Sequence, residues 1–265
     1  MQDKILSLLP SEYPWSDRLH CFPSIGSTND HLRVLAKAGA PHGTAVIADH
    51  QTGGHGRRGR SFHSPEGVGI YLSILLRPNC PPRELMHLTC AAAVAMCDAV
   101  ETSAGFRPGI KWTNDLVAGK RKLGGILTEL GFAPDGSVDW AIIGIGINCC
   151  QQQSDFPEDI RDMAGSLAMV SGKEIDRAAV AAAMLESLYH MDRALLSGKD
   201  DVLQQYRTNC ITLNRDVVLV RGEEKRYGHA VDIDGDGALL VRFSSGETEA
   251  VSSGEISVRG MYGYV

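Results

Sequence analysis

The stretch from Asp49 to Arg60, DHQTGGHGRRGR, places four glycines and three arginines within twelve residues, between two strand-like segments. Glycines at that density leave backbone N–H groups free and give the chain little conformational preference of its own. Arg57, Arg58 and Arg60 add forked donors that suit phosphate and carboxylate oxygens. Such a loop is costly to order, and the composition predicts that an anionic ligand orders it. Three other regions combine unusual polar residues with strand ends: Ser27-Thr28-Asn29, Lys111-Trp112-Thr113-Asn114-Asp115 together with Lys122-Leu123-Gly124-Gly125, and Gly144-Ile145-Gly146-Ile147-Asn148.

Three simpler readings fail on context. Gly54-His55-Gly56-Arg57-Arg58-Gly59 satisfies the dinucleotide pattern G-x-G-x-x-G, but that fingerprint needs a helix directly after the glycines. Here Ser61 to Gly67, containing Pro65, leads into a strand instead. No G-x-x-x-x-G-K-[ST] phosphate loop exists, and Gly119 to Gly125 comes nearest without the final Lys-Ser/Thr. Asp232-Ile233-Asp234-Gly235-Asp236-Gly237 opens like a calcium loop, yet Phe243 stands where a bidentate Glu is needed. Asp and Gly in that density predict a tight turn between two strands.

The elements that must position these groups follow from patterning. Ser27 to Asp30 caps a short amphipathic helix ending at Ala38, with Gly39 as its stop. Thr44–Ala48 and Gly69–Leu76 read as strands on either side of the arginine loop. Arg83–Val100 is alanine-rich, lacks alternation and predicts a buried helix. Ile110–Val117 and Lys122–Leu130 predict strands around a turn at Ala118 to Arg121, and Val138–Ile147 a further strand. Ala178–Leu196 and Asp201–Asn209 predict helices. From about Thr212 the character changes to short strands: Asp216–Val220, Arg226–Val231, Ala238–Phe243, Glu247–Val251 and Glu255–Arg259. This pattern predicts an α+β unit with a mixed, largely antiparallel sheet and flanking helices, followed by a small β-barrel.

The chain's 265 residues suffice for one large domain or two smaller ones. Its formal net charge of −6 makes the arginine cluster a local feature and disfavours a general grip on nucleic acid. The seven cysteines show no C-x-x-C spacing, which is neither a zinc pattern nor a disulfide framework. Reduced thiols, the absence of a signal-like N-terminus and of an uninterrupted apolar run of spanning length predict a soluble cytoplasmic protein without membrane association.

Taken in order, the four regions resemble the biotin–protein ligases, which activate biotin with ATP and attach it to a lysine of a carboxylase carrier domain. That family carries S-T-N, G-R-G-R-R-G-R, K-W-P-N-D, K-L-[AG]-G-I and G-[IA]-G-[IL]-N segments, and the similarity spans roughly Ser24 to Asn148. Gly254-Glu255-Ile256-Ser257 resembles the family's C-terminal module. The resemblance implies a class II synthetase-like catalytic domain over 1–211 and an SH3-like β-barrel over 212–265. It implies biotin, ATP and Mg as ligands and a biotin carboxyl carrier protein as partner. It also implies that the loop is a lid, disordered when empty, that folds over biotin and its adenylate.

Residue by residue, the similarity assigns Ser27, Thr28, Asn29 and Gln51 to the ureido ring, and Gly54, His55, Gly56, Arg57, Arg60 and Phe62 to the lid. Lys111, Trp112, Asn114 and Asp115 fall in the K-W-x-N-D segment, with Asp115 as a magnesium ligand through water. Lys122 would bridge the carboxylate and α-phosphate, beside Gly124 and Gly125, with Gly146 and Asn148 on the nucleotide side. General chemistry agrees with the cations. Two anions must be held in line, and their repulsion offset where charge develops. Read alone, Lys122 is a solvated hairpin lysine, the S-T-N residues a helix cap, Gly124-Gly125 a bulge and Trp112 a core residue.

Two departures from the family pattern stand out. His55 replaces the first loop arginine, exchanging a permanent cation for a side chain of a type that titrates near neutrality. Thr113 replaces the proline of K-W-P-N-D. The short segment ahead of Ser27 predicts no DNA-binding domain, and a homodimer stays open. Rival readings are a lipoate- or octanoate-handling enzyme on the related fold and a non-catalytic biotin binder.

Overall fold

The computed structural model describes residues 1–252 and 257–260. In chain order the first part contains α1 (Gln2–Leu8), β1 (Leu19–Phe22), α2 (Thr28–Lys37), β2 (Ala45–Ala48), β3 (Gly69–Leu76) and α3 (Leu88–Ala104). It continues with β4 (Gly109–Lys111), β5 (Asp115–Ala118), β6 (Arg121–Phe132), β7 (Val138–Asn148), α4 (Leu167–Ser171), α5 (Arg177–Ala194) and α6 (Lys199–Asn209). The strands form one seven-stranded sheet in the order β1-β2-β3-β7-β6-β5-β4. Only β1 and β2 run parallel, joined across α2, and every other neighbouring pair is antiparallel. The α+β expectation holds.

Alternation along the strands separates two apolar layers. Ile47, Leu72, Ile74, Ile143, Ile145 and Ile147 face the larger core, which α3 and α5 cover with a run of buried alanines. Val46, Leu75, Trp140 and Ile142 face the other way, against Leu32 and Ala36 of α2. Beyond Ile142 that second face changes character. Its next residues on β7 are Gly144 and Gly146, paired with Ser73 and Tyr71 on β3 and with Leu127 and Gly125 on β6. The large side chains stop, and a hollow opens next to the N-terminus of α2.

Several boundaries differ from expectation. The single strand expected over Ile110–Val117 is a hairpin, with Lys111 paired to Asp115 and residues 112–114 forming its turn. The turn's polar groups bond outside the ladder: Trp112 N–H donates to Thr212 Oγ1, and Asn114 exchanges bonds with the Ile126 backbone. The helix expected from Arg83 starts at Leu88, behind a 3₁₀ turn over Pro82–Leu85, and runs on to Gly105 at φ 78°. Pro82–Ala104 has the length and hydropathy of a membrane span, and most of it is buried inside the protein. Elements α1, β1 and α4 were not anticipated, because none is long enough to show a period.

The remaining strands, β8 (Arg215–Arg221), β9 (Glu224–Ile233), β10 (Leu239–Phe243), β11 (Thr248–Val251) and β12 (Ser257–Gly260), form an antiparallel sheet in the order β11-β10-β9-β8-β12. The expected turn at Asp232–Gly237 is present, with Asp234 Oδ1 accepting the N–H groups of Asp236 and Ala238. Of the strand expected at Glu255–Arg259, Glu255 and Ile256 lie outside the described residues, as does Gly254. The turn docks on the first part of the chain: Trp112 Nε1 donates to Gly237 O at 3.0 Å, and Arg207 donates to Ile233 O.

Candidate active site

The hollow is a cavity of about 520 Å³, within the range of small-molecule sites. Its walls come from the start of α2, the arginine loop, the β4–β5 turn and the glycine-bearing stretches of β6 and β7. Every site residue expected from the sequence lines it except Gly54, Gly124 and Asn148. Among its described lining residues stand Arg57, Arg58, Arg60, Lys111 and Lys122 against the single carboxylate of Asp115. In a chain of net charge −6, such a concentration of cations marks a site for anions.

At one end the α2 cap supplies polar groups. Ser27 caps the helix by accepting from Asp30 N–H, while Thr28 donates through both its backbone N–H and its hydroxyl to Gln51 Oε1, at 2.9 and 3.0 Å. Gln51 Nε2 reaches Ser64 Oγ at 3.1 Å, which ties the cap to the base of the loop. Asn29 is buried, its Nδ2 donating to Glu129 Oε2 at 2.8 Å and its Oδ1 lying 2.6 Å from Ser73 Oγ. Ser27 therefore caps the helix and lines the cavity, while Thr28 and Asn29 line it with their side chains held from other elements.

The loop lies folded across the cavity. Gly56 N–H donates to Arg60 O at 2.6 Å, His55 bridges to Ser61, and Arg58 takes a left-handed conformation at φ 59°. Arg57 donates to Asn114 Oδ1 at 2.8 Å. Burial lowers the pKa of its guanidinium, opposed by the nearby Asp115 carboxylate, and an arginine keeps its charge under such shifts. Phe62 covers Gly146 so closely that a Cβ at that glycine would run into the ring. A Cβ on Gly144 would likewise strike the Asn29 amide. The glycines of β7 thus make room for two protein side chains.

At the opposite end Lys122 Nζ lies 2.6 Å from Asp115 Oδ1. The backbone of Lys122 is gripped on both sides, donating to Met163 O and accepting from Gly165 N–H. Gly125 sits opposite Asp115 in the ladder, and a Cβ there would come 3.3 Å from Lys122 Nζ. Its bare backbone leaves open the space directly beside the pair. The β5–β6 register shifts at Leu116/Val117, which leaves Leu123 as the extra residue, while Gly124 and Gly125 stay paired in the ladder.

Three expected positions serve other purposes. Gly124 is a glycine because Gly146 O lies 2.5 Å from where its Cβ would be, so it admits a neighbouring strand. Gly54 packs under Phe62 O and Ser64 Oγ. Asn148 is buried, with Nδ2 donating to Gly165 O and Oδ1 accepting from Gln151, so its side chain braces the 148–165 segment. Trp112 is both a core residue and part of the wall. Sequence reading passed over Ser73, Glu129, Asp30 and Arg33. A serine inside the apolar run of β3 and a glutamate two and four residues beyond Leu127 and Gly125 on one strand face were the available signals.

No group of three or more His, Cys, Asp or Glu suited to a metal occurs among the described residues. Asp115 alone fits a Mg²⁺ that arrives with phosphates, since that ion takes one or two carboxylates and keeps water. The seven cysteines are unpaired, and burial pushes Cys90 and Cys97 up to about 12, which removes them as thiolate nucleophiles.

Comparison with known proteins places this geometry among relatives. Residues 21–148 match the biotin/lipoate A/B protein ligase family and residues 212–259 the biotin protein ligase C-terminal domain. The chain is 39% identical over 223 residues to the bifunctional ligase/repressor BirA of Bacillus spizizenii, covering 84% of this chain and 68% of that protein. It is 32% identical over 237 residues to the biotin–[acetyl-CoA-carboxylase] ligase of Mycobacterium tuberculosis, covering 87% and 85%. The biotin protein ligase of Aquifex aeolicus, solved with biotin and ATP, superposes with a TM-score of 0.78 at 31% identity, over 92% of this chain and 99% of that one.

Proposed function

The chain belongs to the biotin protein ligase family, and from that premise we propose how its cavity divides the work. The reaction has two steps: biotin and ATP give biotinyl-5′-AMP and pyrophosphate, and the ε-amine of a carrier-domain lysine then takes the biotinyl group, releasing AMP. The observation that carries the residue assignments is a cavity lined both by five Lys/Arg side chains and by the uncharged α2 cap. Biotin has matching ends, a neutral ureido ring and a carboxylate.

In this reading Ser27, Thr28, Asn29 and Gln51 receive the ureido ring, and Leu127 and Trp112 wall the apolar chain. The carboxylate then points to Lys122 and Arg57. Its attack on the α-phosphate brings two anions together, and the oriented cations stabilise the charge that develops on the transferring oxygens. Lys122 begins paired to Asp115 and turns toward the substrate oxygens, a short rotation beside the bare Gly125. Asp115 would hold a Mg²⁺, which would supply positive charge toward the nucleotide phosphates, with Asn114 orienting the ion or the nucleotide. Arg58 and Arg60 extend the cationic field over the phosphates, and the loop excludes water from the mixed anhydride.

In the second step the amine attacks the activated carbonyl directly, and no enzyme residue forms a covalent bond. The high thiol pKa values fit that economy. We take 1–211 as the catalytic domain and 212–265 as the smaller module, acting in the cytoplasm on a biotin carboxyl carrier domain. The test is mass spectrometry of a purified carrier domain incubated with this protein, biotin and MgATP. A gain of one biotinyl group that disappears in Lys122→Ala and Arg57→Ala supports the assignment; an unchanged mass with a competent carrier rejects it.

A further inference from the structure

Five side chains run in an unbroken line from the arginine loop to the buried end of the cavity. His55 Nε2 lies 2.8 Å from Asp30 Oδ2, and Asp30 Oδ1 accepts from Arg33 at 2.8 Å. The other guanidinium nitrogen of Arg33 donates to Glu129 Oε1 at 2.6 Å, and Glu129 Oε2 accepts from Asn29 at 2.8 Å. Each carboxylate spends one oxygen toward the loop and one toward the interior. Ser73 takes the far side of Asn29, so the orientation of that amide is set at both ends.

We infer that Asp30 is a positioning residue that fastens the loop to the inner end of the cavity through His55. Asp30 is absent from the cavity wall and touches no atom assigned to substrate. Its carboxylate is the one point at which the loop's His55 meets this chain of bonds. The inference rests on reading the loop as the lid of a biotin site. It also gives the substitution of histidine for arginine a consequence. With a charged imidazole the contact is an ion pair, and with a neutral one it is a single hydrogen bond to the Asp30 carboxylate. The charged groups that His55 meets are Asp30 and, behind it, Arg33 from α2 and Glu129 from β6, with Arg57, Arg58 and Arg60 in its own loop. Asp30 stays ionised throughout: burial works to raise its pKa, but His55 and Arg33 together hold it below the ordinary carboxylate value. Because both side chains of the pair are about half exposed, the effect is a few-fold one and weakens with salt.

The experiment compares the full-length wild type with Asp30→Asn and His55→Arg at pH 6 and pH 8. Amide hydrogen exchange of residues 54–60, corrected for the intrinsic chemical rate, reports the loop, and biotin-dependent pyrophosphate release gives KM for biotin and kcat. Relative to the wild type, loop exchange and KM should be roughly two- to fivefold higher in Asp30→Asn. Asp30→Asn should show these higher values at both pH values with kcat at saturating biotin unchanged, and His55→Arg the lower exchange at both. An Asp30→Asn protein whose loop exchange and KM match the wild type overturns the inference. So does a His55→Arg protein that behaves like Asp30→Asn. If no variant and no wild-type protein releases pyrophosphate with biotin, the functional reading fails, while the exchange data still decide the fastening.

Discussion

Lys122 and Asp115 face each other across the β5–β6 hairpin with Nζ and Oδ1 2.6 Å apart, beside a glycine that leaves their far side open. The pair gives Lys122 a parking position from which it reaches substrate oxygens. Removing the cation deletes a group that acts where charge develops, while its well-held backbone keeps the fold. Lys122→Ala is therefore expected to lower the rate of biotinyl-adenylate formation by about 10²–10³-fold, with thermal unfolding close to wild type. Asp115→Asn should lower the rate as well, and its loss should be partly recovered at high Mg²⁺ if that carboxylate helps to hold the ion. Single-turnover pyrophosphate release with each variant is the measurement.

Phe62 and Gly146 make a second dependent pair. A methyl group on Gly146 meets the ring that covers it, and overpacking of this kind costs ~1–3 kcal/mol. The strain is released by lifting the loop, so Gly146→Ala should raise KM for biotin about 5- to 150-fold with a smaller change in kcat. Truncating the ring removes the obstacle. The double variant Gly146→Ala/Phe62→Ala should bind biotin better than Gly146→Ala alone, and a double-mutant cycle with equal, additive losses would show that the two do not communicate.

How much of this was legible in the sequence depends on what each residue type announces. Arg57, Lys122 and Asp115 carry charge at spacings that strand ends can converge, and the structure brings them to one wall. Periodicity exposed the long strands and the alanine-rich helices. It did not reveal why Gly144, Gly146 and Gly124 are glycines. They fit Asn29, Phe62 and a neighbouring carbonyl, contacts set by sheet register between distant segments. Asn148 stood in a motif and proved to be a brace, because its partners Gln151 and Gly165 lie on an irregular segment with no local signature. The β4–β5 turn escaped for a similar reason. Its backbone bonds are completed by Thr212 and Ile126, which no window around Trp112 contains. The line from His55 to Asn29 was hidden likewise, since it joins the loop, α2 and β6 through side chains that look like ordinary surface charges.

The Asp232–Gly237 turn is one point at which the second sheet docks. Gly237 adopts φ +86°, accepts the Trp112 indole N–H, and has Cys90 Sγ 2.8 Å from where a Cβ would stand. Gly237→Ala combines left-handed strain with that contact, and each such defect costs about 1–3 kcal/mol. A chain of this size should lose roughly 2–4 °C in melting temperature per kcal/mol, as read by calorimetry. Trp112→Phe removes the donor, worth about 1 kcal/mol, together with part of a buried ring, so its cost should exceed that of the hydrogen bond alone. A Gly237→Ala protein as stable as wild type would show that the turn bears no such constraint.

His87 makes stability depend on pH from a position far from the cavity. It is 1% exposed, its Nε2 donates to Leu195 O at 2.9 Å, and its Nδ1 has no hydrogen-bond partner among the described residues. Burial holds its pKa below the ordinary value of 6.5, although the bond to Leu195 acts in the opposite sense. The sign follows from proton counting. Below 6.5 the unfolded chain binds a proton that the folded chain still refuses, so unfolding is favoured by acid and stability rises with pH through that window. The slope from this one group approaches at most about 1.4 kcal/mol per pH unit and vanishes once the folded form protonates as well. Above neutrality the residue contributes no pH dependence. His87→Gln keeps a donor for Leu195 and removes the titration, so urea unfolding between pH 7 and pH 5 should show a flatter loss of stability than in the wild type. Equal slopes for the two proteins would mean that His87 takes up its proton in the folded state as readily as in the unfolded one.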